Sequence, residues 1–313
     1  MSSCKGHLAT RRAAGLFDFS FMGLYEFPDR HSVQPFQSRN LEALAPGQLA
    51  YSLLLNQDGS VFNDATVWRL PDDRYWLFTG RRSDFERFRG SAHDRSGEHA
   101  ILALQGPASG EILARLVGRE TVLTLKYFHY LQRGAMWIAR LGYSGELGYE
   151  LLVPAAESAQ LREKLLDAGR VRGVRECSFA TADSLRVESG YILFSKELTA
   201  AADPFELGLG RLVTGRGFIG AEALARKRLA GPRRRLVGLL PTGAMRVAGR
   251  LPEARMTSET WSPVFGRQLG MGFAPAEHAA AGTLLRLADG RLARCARLPF
   301  YDPARVLPRR LCL

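Results

Sequence analysis

Asp64 and Glu188 are the two carboxylates whose local settings invite a chemical reading. A carboxylate can accept a pair of N–H bonds with charge-assisted strength, or take and hold a proton as a bond forms beside it. Asp64 opens a strand-like segment just after the turn pair Asp58-Gly59, where an Asx-type turn cap is the ordinary role. Glu188 ends a helical stretch before Gly190, where the ordinary role is an exposed glutamate paired with Arg186. Tyr143 and Glu146 belong to the turn GYSGE, whose glycines permit a tight hairpin. Arg267, Arg305, Arg309 and Arg310 present forks suited to ligand carboxylates, although most such arginines are simply solvated. Tyr127, Phe128 and His129 could wall a pocket or serve as core. Cys4, Cys177, Cys295 and Cys312 include no C-x-x-C pair, which argues against a zinc ribbon or a thioredoxin-like motif. They fit unpaired thiols in a reducing compartment, and no metal site is expected. No G-x-G-x-x-G follows a strand, so no fused flavin domain is expected.

These residues need a scaffold of mixed α and β elements. Segments 49–55, 60–70 and 74–79 alternate as strands of an antiparallel meander, the first two joined by Asn56-Gln57-Asp58-Gly59. A helix is expected from 83 to 88 with Ser83 as N-cap. A strand follows at 101–104, a helix at 108–116, and strands at 135–140 and 148–153 flank the GYSGE turn. Helices are expected at 156–168, 181–188 and 221–227. The run Gly231-Pro232-Arg233-Arg234-Arg235 has linker composition. After it come short strand signals at 235–240, 269–273, 284–287 and 293–298, implying a small all-β C-terminal domain.

The chain has 313 residues, 46% of them hydrophobic, ample for two or three packed domains. No apolar run is long enough to cross a bilayer and the N-terminus has no signal-peptide h-region, so a cytoplasmic protein with no membrane contact is expected. The net charge of +12 is dispersed rather than striped among aromatics, which argues against nucleic acid as the main partner. A polyanionic small molecule or an acidic protein would suit it equally.

Nine segments, in order, resemble the glycine-cleavage aminomethyltransferase (T-protein) family. They are 14–23 (AGLFDFSFMG), 59–67 (GSVFNDATV), 104–108 (LQGPA), 142–150 (GYSGELGYE), 183–190 (DSLRVESG), 204–209 (PFELGL), 217–224 (GFIGAEAL), 257–263 (TSETWSP) and 299–303 (PFYDP). The resemblance implies an α+β, three-domain clover-leaf around a central folate channel, with a small C-terminal β-barrel. Implied boundaries are 1–27 with 105–205, 28–104 with 206–231, and 232–313. It also implies tetrahydrofolate as cofactor, Asp64 as the catalytic carboxylate facing the one-carbon nitrogens, and Glu188 as the pterin anchor. Tyr143 and Glu146 would line the channel, with Arg267 and Arg309 among the candidates for the glutamate tail.

The implied activity is tetrahydrofolate-dependent transfer of an aminomethyl or methyl carbon, from a lipoyl carrier protein or a small molecule. The alternative is a non-catalytic folate-binding or regulatory subunit beside a separate oxidase. A third reading, a fold that binds no folate, is favoured if Asp64 and Glu188 do not face one cavity. Departures from the family pattern point to a divergent paralogue. Phe21 replaces a His, Asn63 replaces the first of two acids, and Glu259 replaces a glycine whose φ a larger residue would resist. The short stretch ahead of residue 14 is expected to remodel the channel mouth. Residues 195–198 (SKEL) lack the motif of the iron–sulfur-repair branch.

Overall fold

The computed structural model describes residues 2–243 and 250–311. Two sheets pack face to face, and a closed barrel packs on the second sheet and on helix Phe179–Glu188. The first sheet runs Arg175–Cys177, Gly15–Asp18, His99–Gln105, Gly148–Pro154, Met136–Ala139, Tyr130–Arg133. All its pairings are antiparallel except that between Gly15–Asp18 and Arg175–Cys177. The second runs Leu49–Leu55, Val61–Arg69, Tyr75–Thr79, Gly23–Phe27, His93–Asp94, and contains the expected meander. Arg234–Pro241, Arg267–Pro275, Glu253–Ser262, Leu284–Leu287 and Leu292–Ala296 close the barrel.

The faces that meet between the sheets are aromatic. Trp68 stacks on Tyr130 at 4.9 Å between ring centroids, and Trp76 lies 4.6 Å from Trp137. Phe17, Phe78, Leu152 and Leu185 complete this core. Helices Ser109–Val117 and Ser158–Gly169 cover the outer face of the first sheet through Ile112, Leu113, Leu161 and Leu165. Burying these faces supplies the main driving force for docking the layers.

Several expectations need correction. Strand Gly23–Phe27 pairs in the second sheet and His99–Gln105 in the first. The chain therefore changes sheets near residues 19–22 and 95–98. Residues 82–87 form a 3₁₀ turn without a side-chain cap, because Asp84 is buried and bonded to Asn63 and Arg81. The proposed linker is already strand from Arg234, whose guanidinium pairs with Glu206 and lies over Phe273. Glu253–Ser262 is a barrel strand concealed by serines at two of its buried positions, Ser258 and Ser262. Glu259 lies within it, opposite Gly270, and holds Arg291 at 2.6 Å; it is not among the residues with positive φ. Cys4, Cys177 and Cys295 are unpaired, whereas Cys312 falls outside the described residues. Among the described residues no helix is long and apolar enough to cross a membrane.

Helix Phe179–Glu188 joins the parts through two buried charges. Arg186 donates to Glu197 Oε2 at 2.8 Å, to Ser258 Oγ at 2.8 Å and to Asp183 Oδ1 at 2.8 Å. Glu197 also accepts from Thr257 and Ser258 on the barrel and from the Leu193 N–H. Two residues on, Glu188 meets helix Ser2–Arg12, which nothing in the sequence pattern foretold. Arg11 Nε and Nη2 donate to Glu188 Oε2 at 3.0 and 2.8 Å, and Arg11 Nη1 to Glu146 Oε1 at 2.8 Å. His7 Nε2 lies 3.0 Å from Glu188 Oε1, which also accepts from Ser262. Arg186 and Glu197 are both fully buried, so Arg186→Met leaves a carboxylate in the interior without its counter-charge. We expect a loss of about 3–5 kcal/mol in urea unfolding; wild-type stability would show that the pair is not structural.

Candidate functional site

A cavity of about 650 Å³ opens among the two sheets, the segment after helix Phe179–Glu188 and residues 305–309. That volume suits an organic ligand of moderate size. Asp64 reaches it because of strand alternation. In Val61–Arg69 successive side chains face opposite ways, so Asp64 and Thr66 line the cavity while Asn63 points away and donates to Asp84 Oδ2 at 2.5 Å. The loss of an acid at position 63 therefore leaves the cavity's charge unchanged. Asp58, not Asp64, caps the hairpin, accepting from the Ser60 N–H at 2.9 Å. Asp64 instead accepts from the Tyr51 hydroxyl at 2.9 Å, a diagonal neighbour on the adjacent strand. Burial pushes its carboxyl up to about 6, against the opposing effect of the Tyr51 hydrogen bond.

The second carboxylate in the cavity is Glu150, which ends the GYSGELGYE segment and is not among the expected site residues. It sits in Gly148–Pro154 opposite Ala139 and Ala103. These small neighbours leave its side chain uncovered. It makes no hydrogen bond or ion pair with any described residue, and burial alone pushes it up to about 7. The signal was present: GYELLVP is apolar on both faces, so an acid inside it has no solvent side to occupy.

Glu188 does not face the cavity. Burial would raise its carboxyl, but the contact with His7 and the Arg11 charge outweigh that and hold it below the ordinary range. Glu146 is likewise turned into the Arg11 network rather than the cavity. Burial raises it despite Arg11. Asp64 and Glu188 thus do not share a cavity; Asp64 and Glu150 do. Tyr143 lines the wall, donating to Ile192 O at 2.6 Å and stacking on Tyr191. Arg267 is exposed on the barrel, 3.4 Å from Pro241 O, and Arg310 is also off the cavity. Arg305 and Arg309 line it, joined by Arg39 and Arg211, which composition could not separate from other arginines. Tyr127, Phe128 and His129 all line it as well. Phe21, 43% exposed, meets the half-exposed Phe179 edge-on at 5.4 Å on the same wall.

The raised Glu150 carboxyl makes stability depend on pH. A group with a higher pKa folded than unfolded binds more protons in the native state, so its stabilisation is complete below about pH 4.5 and is lost as pH rises through about 7. Glu150→Gln removes that loss. The variant should exceed wild type by roughly 2 kcal/mol at pH 8 and by much less at pH 4.5. Urea unfolding at the two pH values measures the gap, and an equal gap at both would assign the effect to something other than titration.

Comparison with known proteins agrees with this architecture. The family model described as the GCVT N-terminal domain matches residues 2–216. An aminomethyltransferase of Symbiobacterium thermophilum is 34% identical over 330 residues, covering 94% of this chain and 88% of the relative. One of Shouchella clausii is 34% identical over 328 residues, covering 95% and 89%. The crystal structure of glycine cleavage system aminomethyltransferase T from Bartonella henselae matches with a TM-score of 0.81 at 27% identity, over 96% of this chain and 90% of that one. With this much of its length matched, the chain belongs to the glycine-cleavage aminomethyltransferase family.

Proposed function

We propose that the cavity takes tetrahydrofolate and that the chain transfers to it the carbon of an aminomethyl group held on a carrier sulfur, its C–S and C–N bonds breaking to release the free thiol and ammonia as methylenetetrahydrofolate forms. The observation that carries this reading is the pair Asp64 and Glu150, two carboxylates of different environment facing one aromatic-walled cavity. Glu150 has its full accepting capacity open, which fits the adjacent N–H donors of a pterin edge. It takes the anchoring role first assigned to Glu188, and because Glu150 puts a second carboxylate beside Asp64 the separation of Asp64 from Glu188 no longer favours a fold that binds no folate. Arg39, Arg211, Arg305 and Arg309 fit the carboxylates of the glutamate tail.

Bound tetrahydrofolate would supply the nitrogen that receives the carbon. Asp64, with its carboxyl near 6, is mostly ionised at neutral pH and can accept the proton which that nitrogen releases. Tyr51 fixes its orientation through the 2.9 Å hydrogen bond. The negative charge also stabilises cationic character at the arriving carbon. A lipoyl carrier protein is the donor that membership of the family suggests, and a small N-methyl compound is the second reading. A purely folate-binding subunit has less support, since Asp64 remains in the cavity.

Anaerobic calorimetry with tetrahydrofolate, coupled to turnover with a lipoylated carrier, tests the proposal. Asp64→Asn should lower turnover by roughly 10²- to 10⁴-fold while leaving folate affinity nearly unchanged. Glu150→Gln should weaken binding by about tenfold or more. Folate binding without turnover on any aminomethyl or methyl donor would favour the binding-subunit reading. No binding by wild type would sink both.

A further inference from the structure

The residue before Asp64 lies outside the cavity with both ends of its amide engaged. The strand ladder slips just ahead of the two residues. Leu54 faces Asn63 and Leu55 faces Val61, so Phe62 is an extra residue in its strand. Such bulges re-aim the side chains beside them. Asn63 is fully buried. Its Oδ1 accepts from the Asp64 N–H at 2.9 Å, and its Nδ2 donates to Asp84 Oδ2 at 2.5 Å. Asp84 is buried too, and Arg81 Nη2 lies 2.9 Å from its other oxygen. Arg87 and Tyr25 also feel the Asp84 charge. The Arg81 guanidinium packs over the rings of Phe62 and Phe194 at 5.2 and 4.9 Å, and Phe194 belongs to the cavity wall. A chain of contacts thus runs from the Asp64 backbone through one amide to a carboxylate, its counter-charge and the wall.

Charged and titratable groups reach Asp64 from several sides. Tyr51 donates to it from the adjacent strand, Tyr143 feels its charge from the GYSGE turn, and Glu150 shares its cavity. Arg186 acts on it from helix Phe179–Glu188 and favours its ionised form, whereas Asp84 acts from behind its own strand and disfavours it. An acid at position 63 would replace the Nδ2 donor by a second acceptor facing Asp84 Oδ2. Like charges that close cannot both ionise freely, and any charge gained there adds to that of Asp84 behind Asp64. The amide avoids the conflict, because it donates at one end and accepts at the other.

We propose that Asn63 is a positioning residue for Asp64: its amide fastens the Asp64 backbone to the Asp84–Arg81 ion pair and keeps a further negative charge away from the proton-accepting carboxylate. This rests on the reading above that Asp64 takes the proton from the folate nitrogen.

The experiment follows the Asp64 carboxyl through a pH titration by carboxyl-carbon NMR of the ligand-free protein, its signal assigned with Asp64→Asn. Beside it, single turnovers with tetrahydrofolate and a lipoylated carrier are measured across the same pH range. Asn63→Asp should move the Asp64 midpoint up from about 6 by about one pH unit, and the acidic limb of turnover with it. Exchanging the pair, Asn63→Asp with Asp84→Asn, again sets one amide against one carboxylate, and both midpoints should return toward wild type. Asn63→Ala removes the backbone acceptor without adding charge. Its turnover should fall about three- to tenfold with tetrahydrofolate affinity unchanged, since residue 63 does not line the cavity. An Asp64 midpoint unmoved by Asn63→Asp, one that fails to return in the exchanged pair, or folate affinity lost in step with turnover in Asn63→Ala would each overturn the proposal and leave the folate reading intact. A wild type that binds no tetrahydrofolate would overturn that reading, while the NMR titration still decides whether Asn63 governs Asp64.

Discussion

Charges removed from water must be answered by other charges, and helix Phe179–Glu188 carries two of them into the centre of the molecule. Arg186 and Glu188 are both fully buried. One is answered by Glu197 and the barrel hydroxyls, the other by the N-terminal helix and Ser262. Apolar contacts could tolerate small slides between sheet and barrel. Paired ions cannot, since an ångström of displacement leaves a desolvated charge without its partner. The two networks therefore set the position of the helix, and the helix sets where the chain from Gly190 to Phe194 forms the cavity wall.

The same principle separates the acids structurally. Glu188 is surrounded by opposite charge and lies low in pKa; Asp64 has one hydroxyl and lies near 6; Glu150 has neither and lies near 7. Three carboxylates of one chain are thus graded by what surrounds them. The poorly satisfied ones are those left facing empty space, where a ligand's donors can complete them.

Much of this fold was legible because its strands alternate and its turns carry Asp-Gly or Gly-rich signals. The meander 49–79 and the hairpin around GYSGE appear nearly residue for residue. Helix Ser2–Arg12 was not legible: it has no apolar stripe, and what it buries is His7 and Arg11. Strand Glu253–Ser262 was hidden for a related reason, since its inward positions include Ser258 and Ser262, which serve ions rather than a hydrophobic core. At the site, Asp64 could be read from its motif and strand phase. Glu188 sits in an equally suggestive motif, and only the path of Arg11 across 177 residues of sequence shows that it is already occupied. Partners so distant in the chain leave no local pattern.

That separation bears on how the protein is made. His7 and Arg11 leave the ribosome well before Ser184 and Glu188, which follow each of them by 177 residues. At roughly 5–20 residues per second the delay is on the order of 10 to 35 seconds. The first counter-ion of Arg11 to appear is Glu146, 135 residues on, and Glu188 completes the set only at 177. Ser262 arrives later still. The segment synthesised first therefore cannot complete its ion pairs until at least 188 of the 313 residues exist.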